Sequence, residues 1–173
     1  VNPLNEVSGH LPTDGVTRCR RAAAALAAAP DSPERARYLF RDSPEGKPAG
    51  TPPNNWESVF GGPAWTKTNE GPGEPEWYLH LFTKKQPDLN WDHPQVRADF
   101  EQTLRFWFDR GVDGFRIDAL NFAMHDPALT DNPPAPDDGK VRTRPFDFQQ
   151  QLFNQSHADI PAFLERIREV LDQ

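Results

Sequence analysis

This chain has one cysteine, one methionine, two tyrosines and no long apolar run. Each scarcity excludes something. A lone Cys19 cannot close an internal disulfide. No stretch approaches the roughly 20 apolar residues of a membrane span. The alanine-rich run from Arg20 to Pro30 starts too late for a secretory signal and reads as a short helix. Cations are also short: 19 Lys and Arg stand against 26 Asp and Glu, a net charge of -7. That balance argues against nucleic acid and against an anionic membrane surface as partners. His125, His157 and Cys19 lack metal-ligand spacing, so no metal is expected on them. The expectation is a cytoplasmic protein with a small-molecule partner. Because the sequence opens on Val1, its native start is expected to lie elsewhere.

What is present is aromatic and stiff. Twelve Phe and five Trp fall mostly after residue 55, and nineteen prolines are about twice the usual share. A length of 173 residues suffices for one domain with a core. Residues 21–29 favour helix until Pro30 stops them. Ser32 and Pro33 suit the cap and first position of another turn. Residues 42–55 are rich in proline and glycine, and 66–75 are polar; both read as loops. Residues 77–82 are strand-like by type. His80 reads as a hydrogen-bonded structural histidine.

A helix is predicted over 94–110. Pro94 suits its first position, Val96, Phe100, Leu104, Trp107 and Phe108 share one face, and Gly111 ends it. Residues 121–154 form a long proline-broken connection, a length that is rare unless functional. Its acidic part, 126–138, reads as a solvated loop. A last amphipathic helix runs from Ile160 to Leu171, with Ser156 and Asp159 spaced like a capping box.

Between the 94–110 helix and that connection lies Gly111-Val112-Asp113-Gly114-Phe115-Arg116-Ile117-Asp118-Ala119-Leu120. It reads as a buried strand, and helix, glycine turn, strand is α/β grammar. Period-two alternation puts Gly114, Arg116 and Asp118 on one face and Phe115 and Ile117 on the other. Charges on a buried strand are costly unless paired. Arg116 and Asp118 side by side therefore suggest either a structural ion pair or chemistry.

Here the chain resembles glycoside hydrolase family 13, the α-amylase family. Gly111 to Leu120 is similar to that family's nucleophile-bearing motif. Gln86-Pro87-Asp88-Leu89-Asn90 is similar to a second motif, in the form found in bacterial α-glucosidases and oligo-1,6-glucosidases. Pro52 to Trp65, Tyr78 to Trp91 and Thr143-Arg144-Pro145-Phe146-Asp147 fit the same group. The resemblance spans about residues 31–173.

It implies an α/β fold: part of a (β/α)8 TIM barrel with a loop-rich second domain inserted after the third strand. Residues 1–90 would be that insertion, with an atypical 1–20 stretch. Residues 91–173 would be a partial catalytic barrel: third helix, fourth strand over 112–118, and fourth helix. Catalytic groups in such barrels sit at the C-terminal ends of strands, where Asp118 falls.

The resemblance further implies a retaining glycosidase acting on a short α-glucoside. Retention needs two carboxylates roughly 5 Å apart. Asp118 would be the nucleophile, and Arg116 would supply charge and donors that favour the carboxylate. Phe60, Phe82 and Gln86 match positions bordering the sugar, although core packing for the rings and a capping role for Gln86 fit equally. Ala119 matches a position tied to linkage preference. The resemblance offers Asp88 as a calcium contact on the strength of one carboxylate.

No cofactor is implied, and the usual calcium loop would lie upstream. The first family motif should end in Asn-His, but Val1-Asn2 is followed by Pro3. The acid/base Glu belongs on a fifth strand, and a whole barrel needs at least about 200 residues. The chain is therefore expected to be a fragment, inactive alone. A transglycosidase or isomerase on the same scaffold, or a non-catalytic amylase-like binding protein, are the other readings.

Overall fold

Three short antiparallel strands form the sheet in the computed structural model, which describes residues 15–48, 50–68 and 76–172. They are β1 (Phe40–Arg41), β2 (Trp65–Lys67) and β3 (Trp77–Leu79), in the order β1-β3-β2. Tyr78 faces Phe40 on one side and Thr66 on the other. The expected 77–82 strand stops at Leu79. Beyond it the Leu81 N–H leaves the ladder and donates to Asp88 Oδ2 at 2.7 Å. Leu39, Trp56, Ala64, Trp65, Leu79 and Leu81 form the apolar core around this sheet. Residues 1–14 of the atypical 1–20 stretch, and positions 69–75 of the polar loop, lie outside the described residues.

Among the described residues there are four α-helices: α1 (Gly15–Ala27), α2 (Pro33–Ala36), α3 (Pro94–Phe108) and α4 (Ile160–Leu171). Ser32 caps α2 as its sequence suggests, accepting the Arg35 N–H at 3.3 Å. In α3, His93 is the cap: its Nδ1 accepts the Gln95 N–H at 3.2 Å, and Pro94 follows. Val96, Phe100 and Leu104 of α3 are buried with Phe163 and Ile167 of α4 in a second core. Trp91 meets Phe100 and Phe163 edge-on, at centroid distances of 5.3 and 5.1 Å. Each such buried side chain stabilises by roughly 1.5–3 kcal/mol.

Three expectations need correction. Trp107 and Phe108 are only half-buried, because Phe108 turns to Phe115 (5.1 Å) and Trp107 to Phe106 (5.3 Å) instead of to α4. The capping box does not form: Ser156 is left-handed (φ 56°) and its N–H goes to Asn121 O at 2.6 Å, so Asp159 stands at the cap.

The largest correction concerns residues 112–118. They form no strand, and the Arg116 and Asp118 side chains are 88% and 60% exposed. A strand is defined by its ladder partners, and no described segment pairs with this one. The alternation survives in part: Ile117 packs against the α3–α4 core and Phe115 against Phe108. Among the described residues, no helix is long and apolar enough to cross a membrane.

Candidate active site

Two left-handed residues deliver Asp118. Gly111 (φ +83°) ends α3, its N–H returning to Phe108 O at 2.8 Å. Glycine adopts that conformation without a Cβ penalty. Residues 112–118 then run without a ladder partner to Ala119, which is also left-handed (φ 53°, ψ 29°). For a residue with a Cβ this is strain. It turns the backbone at once into the 3-10 turn Leu120–Phe122, closed by Phe122 N–H to Ala119 O at 3.0 Å. Arg116 and Asp118 meet as expected: Arg116 Nη2 donates to Asp118 Oδ1 at 3.5 Å. The pair is exposed, so the predicted burial cost does not apply here.

An aromatic row approaches the same turn. Phe60 and Phe82 pack edge-on at 5.7 Å, and Phe82 packs edge-on against Phe122 at 5.1 Å. Phe122 in turn lies 6.5 Å from Phe146. Phe60 is 65% exposed, so it is no core residue, whereas Phe82 is half-buried. Buried Ser58 clamps the pair by donating to Phe82 O and accepting the Phe60 N–H at 3.2 Å. Gln86 closes the adjacent turn: its N–H donates to Thr83 O at 2.8 Å, and its Oε1 accepts from Thr83 Oγ1 at 3.2 Å. Asp88 is buried and holds the Leu81 N–H, a structural task.

The sequence missed Ser58, Phe122 and Phe146. Phe122 carried a signal, standing one turn beyond Asp118. Ser58 carried none.

The connection over 121–154 is anchored at several points, while its acidic part, 126–138, is largely exposed, as expected for a solvated loop. Buried Asn132 accepts the Leu152 and Phe153 N–H groups, both at 3.1 Å. Its own N–H donates to Asn55 Oδ1 at 2.8 Å, and Trp56 Nε1 donates to Thr130 O at 2.9 Å. Asp126 accepts from Thr130 Oγ1 at 2.5 Å and from the Ala128 and Thr130 N–H groups; these bonds hold its carboxyl below the usual range. The loop is thus stapled to Asn54–Trp56, beside the aromatic row.

Two histidines are held neutral. His80 shares a 2.7 Å hydrogen bond with Thr66 Oγ1, as its structural reading required. Burial, aided by the charge of Lys84, pushes its pKa down to about 4. His125 lies edge-on to Trp56 at 5.4 Å, and burial likewise lowers it to about 4 against the opposing pull of Asp92. Among the described residues no group of three or more His, Cys, Asp or Glu could hold a metal ion.

The family model described as the α-amylase catalytic domain matches residues 16–173. The chain belongs to the α-amylase catalytic-domain family. Within that family it is 43% identical over 141 residues to a probable α-glucosidase of Rhizobium meliloti, covering 79% of this chain and 24% of the relative. It is 50% identical over 104 residues to an oligo-1,6-glucosidase of Parageobacillus thermoglucosidasius, covering 60% and 17%. Among solved structures, the α-glucosyl transfer enzyme XgtA superposes with a TM-score of 0.78 at 39% identity, over 88% of this chain and 28% of that one. The chain thus spans between 17% and 28% of the length of these α-amylase-family relatives.

Proposed function

We propose that this chain is the nucleophile-bearing part of a retaining α-glucosidase acting on short α-glucosides. Asp118 attacks the anomeric carbon and forms a glycosyl-enzyme, which water then hydrolyses. A second carboxylate protonates the leaving oxygen and afterwards activates the water. By this reading that Glu lies on a fifth barrel strand outside these 173 residues, so the chain alone does not turn over substrate. Residues 112–118 become the fourth strand once neighbours pair with them, residues 1–90 are the inserted domain, and 91–173 are barrel. Arg116 positions the nucleophile carboxylate through its donor contact. Phe60 and Phe82 present apolar faces to the sugar ring, Gln86 binds hydroxyls, and Ala119 sets the backbone turn beneath it. Two carboxylates suffice for this chemistry, which calls for no cofactor, and the site is cytoplasmic.

The observation that carries the reading is a juxtaposition. The Phe60–Phe82 pair reaches the turn that follows Asp118 through the single ring of Phe122. Phe60 and Phe82, far apart in sequence from Asp118, thus stand in one row with the ring that follows its turn. The test is hydrolysis of an aryl α-glucoside by the gene product that contains this chain. Asp118→Asn abolishes it; an undiminished rate in that variant defeats the assignment. The likeness to an α-glucosyl transfer enzyme favours a second outcome on the same scaffold, transfer to a sugar in place of water. Product analysis at high sugar concentration separates the two.

A further inference from the structure

The stretch Thr143-Arg144-Pro145-Phe146-Asp147 has no part in the chemistry assigned to Asp118, yet it borders the same site. Its 3-10 turn, Pro145–Phe148, brings Phe146 to 6.5 Å from Phe122. Phe146 is therefore one end of the aromatic row. Phe60 is the other end, two contacts out from Phe122 and 65% exposed.

Arg144 joins those two ends. Its Nε and Nη2 donate to the two oxygens of Asp147 at 2.9 and 2.7 Å. A two-pronged pair of this kind fixes the plane of the guanidinium. It also holds the Asp147 carboxyl below the usual range, so the pair stays charged at neutral pH. Nη1 remains, and it donates at 3.4 Å to Val59 O, the carbonyl just before Phe60. That bond is long, but a second tie runs beside it: Gln149 Nε2 donates to Asn55 O at 2.6 Å. On its other side the Phe60 loop is held by Ser58 and by the Val59 N–H, which donates to Leu81 O at 2.9 Å. The row from Phe60 through Phe82 and Phe122 to Phe146 is thus closed into a collar, with Arg144 as the link.

Arg144 is 52% exposed, and ion pairs that open to water contribute little to folding. What the link does set is the position of two rings. Rings already held in place lose less freedom when a ligand arrives than mobile ones do.

We propose that Arg144 is a positioning residue for the leaving group. It holds Phe60 and Phe146 as the outer walls that receive the substrate residue beyond the bond Asp118 attacks. The inference rests on the Asp118 reading and adds a task to it.

The experiment compares two substrates in the gene product that contains this chain. Maltose places a second sugar in the collar. The leaving group of α-glucosyl fluoride is one atom and does not reach it. Arg144→Gln is expected to lower kcat/KM for maltose about tenfold, mostly through KM, and to change that for the fluoride less than about twofold. Asp147→Asn, which keeps Arg144 but weakens its orientation, is expected to show the same split at about threefold. Circular dichroism reports whether each variant is folded; if Arg144→Gln is not, Asp147→Asn decides. Unchanged maltose kinetics in the folded variant overturns the proposal, and so does an equal fall on both substrates. Asp118→Asn separates this outcome from the reading beneath it. Loss of fluoride hydrolysis in Asp118→Asn, with no split at Arg144, removes the collar alone. Undiminished fluoride hydrolysis in Asp118→Asn removes the Asp118 reading and the proposal with it.

Discussion

Acidification from about pH 7.5 to about pH 5 is expected to remove much of this chain's stability, through His80 and His125. His80 is buried and His125 half-buried, and desolvation lowers both pKa values from the ordinary 6.5 to about 4. A group depressed on folding binds its proton more readily in the unfolded chain. Between pH 6.5 and 4 the unfolded state therefore holds more protons, and stability falls as pH falls. The gap is worth about 3 kcal/mol per histidine when complete, and about 2 kcal/mol at pH 5. Against a total of roughly 5–15 kcal/mol for a domain, two such losses matter. Asp126 is depressed as well, but its contribution is lost only below the carboxylate range, in a separate window.

The assay is urea unfolding followed by tryptophan fluorescence, since Trp56 and Trp65 are buried and Trp56 meets the His125 ring at 5.4 Å. His80→Gln is expected to cost about 1 kcal/mol at neutral pH, from the hydrogen bond with Thr66. It also halves the pH slope between 6.5 and 4. The reasoning is refuted if wild type is equally stable at pH 7.5 and 5, or if His80→Gln and His125→Gln leave the slope untouched.

Other outcomes follow from the same contacts. Asn132→Ala strands the Leu152 and Phe153 N–H groups and is expected to cost about 2–4 kcal/mol in urea titration. Phe122→Ala unseats Phe82 from the Asp118 turn; in the gene product containing this chain, kcat/KM for an aryl α-glucoside is expected to fall while Phe122→Tyr largely keeps it. Phe60→Ala, removing a mostly exposed ring, is expected to change folding stability by less than about 1 kcal/mol. A stability loss as large as that of Asn132→Ala would contradict its exposure. Ala119→Gly relieves a left-handed residue and is expected to raise thermal stability slightly, whereas Ala119→Val lowers it.

The helices were legible because their signals are local. Pro94, the 3.6-residue spacing of Val96, Phe100 and Leu104, and Gly111 mark α3 without reference to anything else. The Arg116–Asp118 contact was legible for the same reason, since only Ile117 separates them in the chain. Burial of residues 112–118 was not. It depends on strands alongside, and none of the described segments takes that place. The acidic stretch after Phe122 is largely exposed, as its charges and prolines suggest, but the burial of Asn132 within it has no local signal. Its buried role depends on Asn55, 77 positions away. Ser58 likewise acts through Phe82, which no spacing rule connects to it. Phe60 and Phe82 were left open between core and sugar wall; Phe60's exposure removes the core reading for that ring.

The central claim is that Asp118 forms the covalent intermediate. Its most direct measurement is peptide mass spectrometry of the gene product containing this chain, after reaction with a fluorinated α-glucosyl fluoride that slows glycosyl-enzyme breakdown. The account predicts one glucosyl adduct, on the peptide carrying Gly114-Phe115-Arg116-Ile117-Asp118, and none in Asp118→Asn. An adduct on another carboxylate, or turnover with inverted anomeric configuration and no adduct, would contradict it.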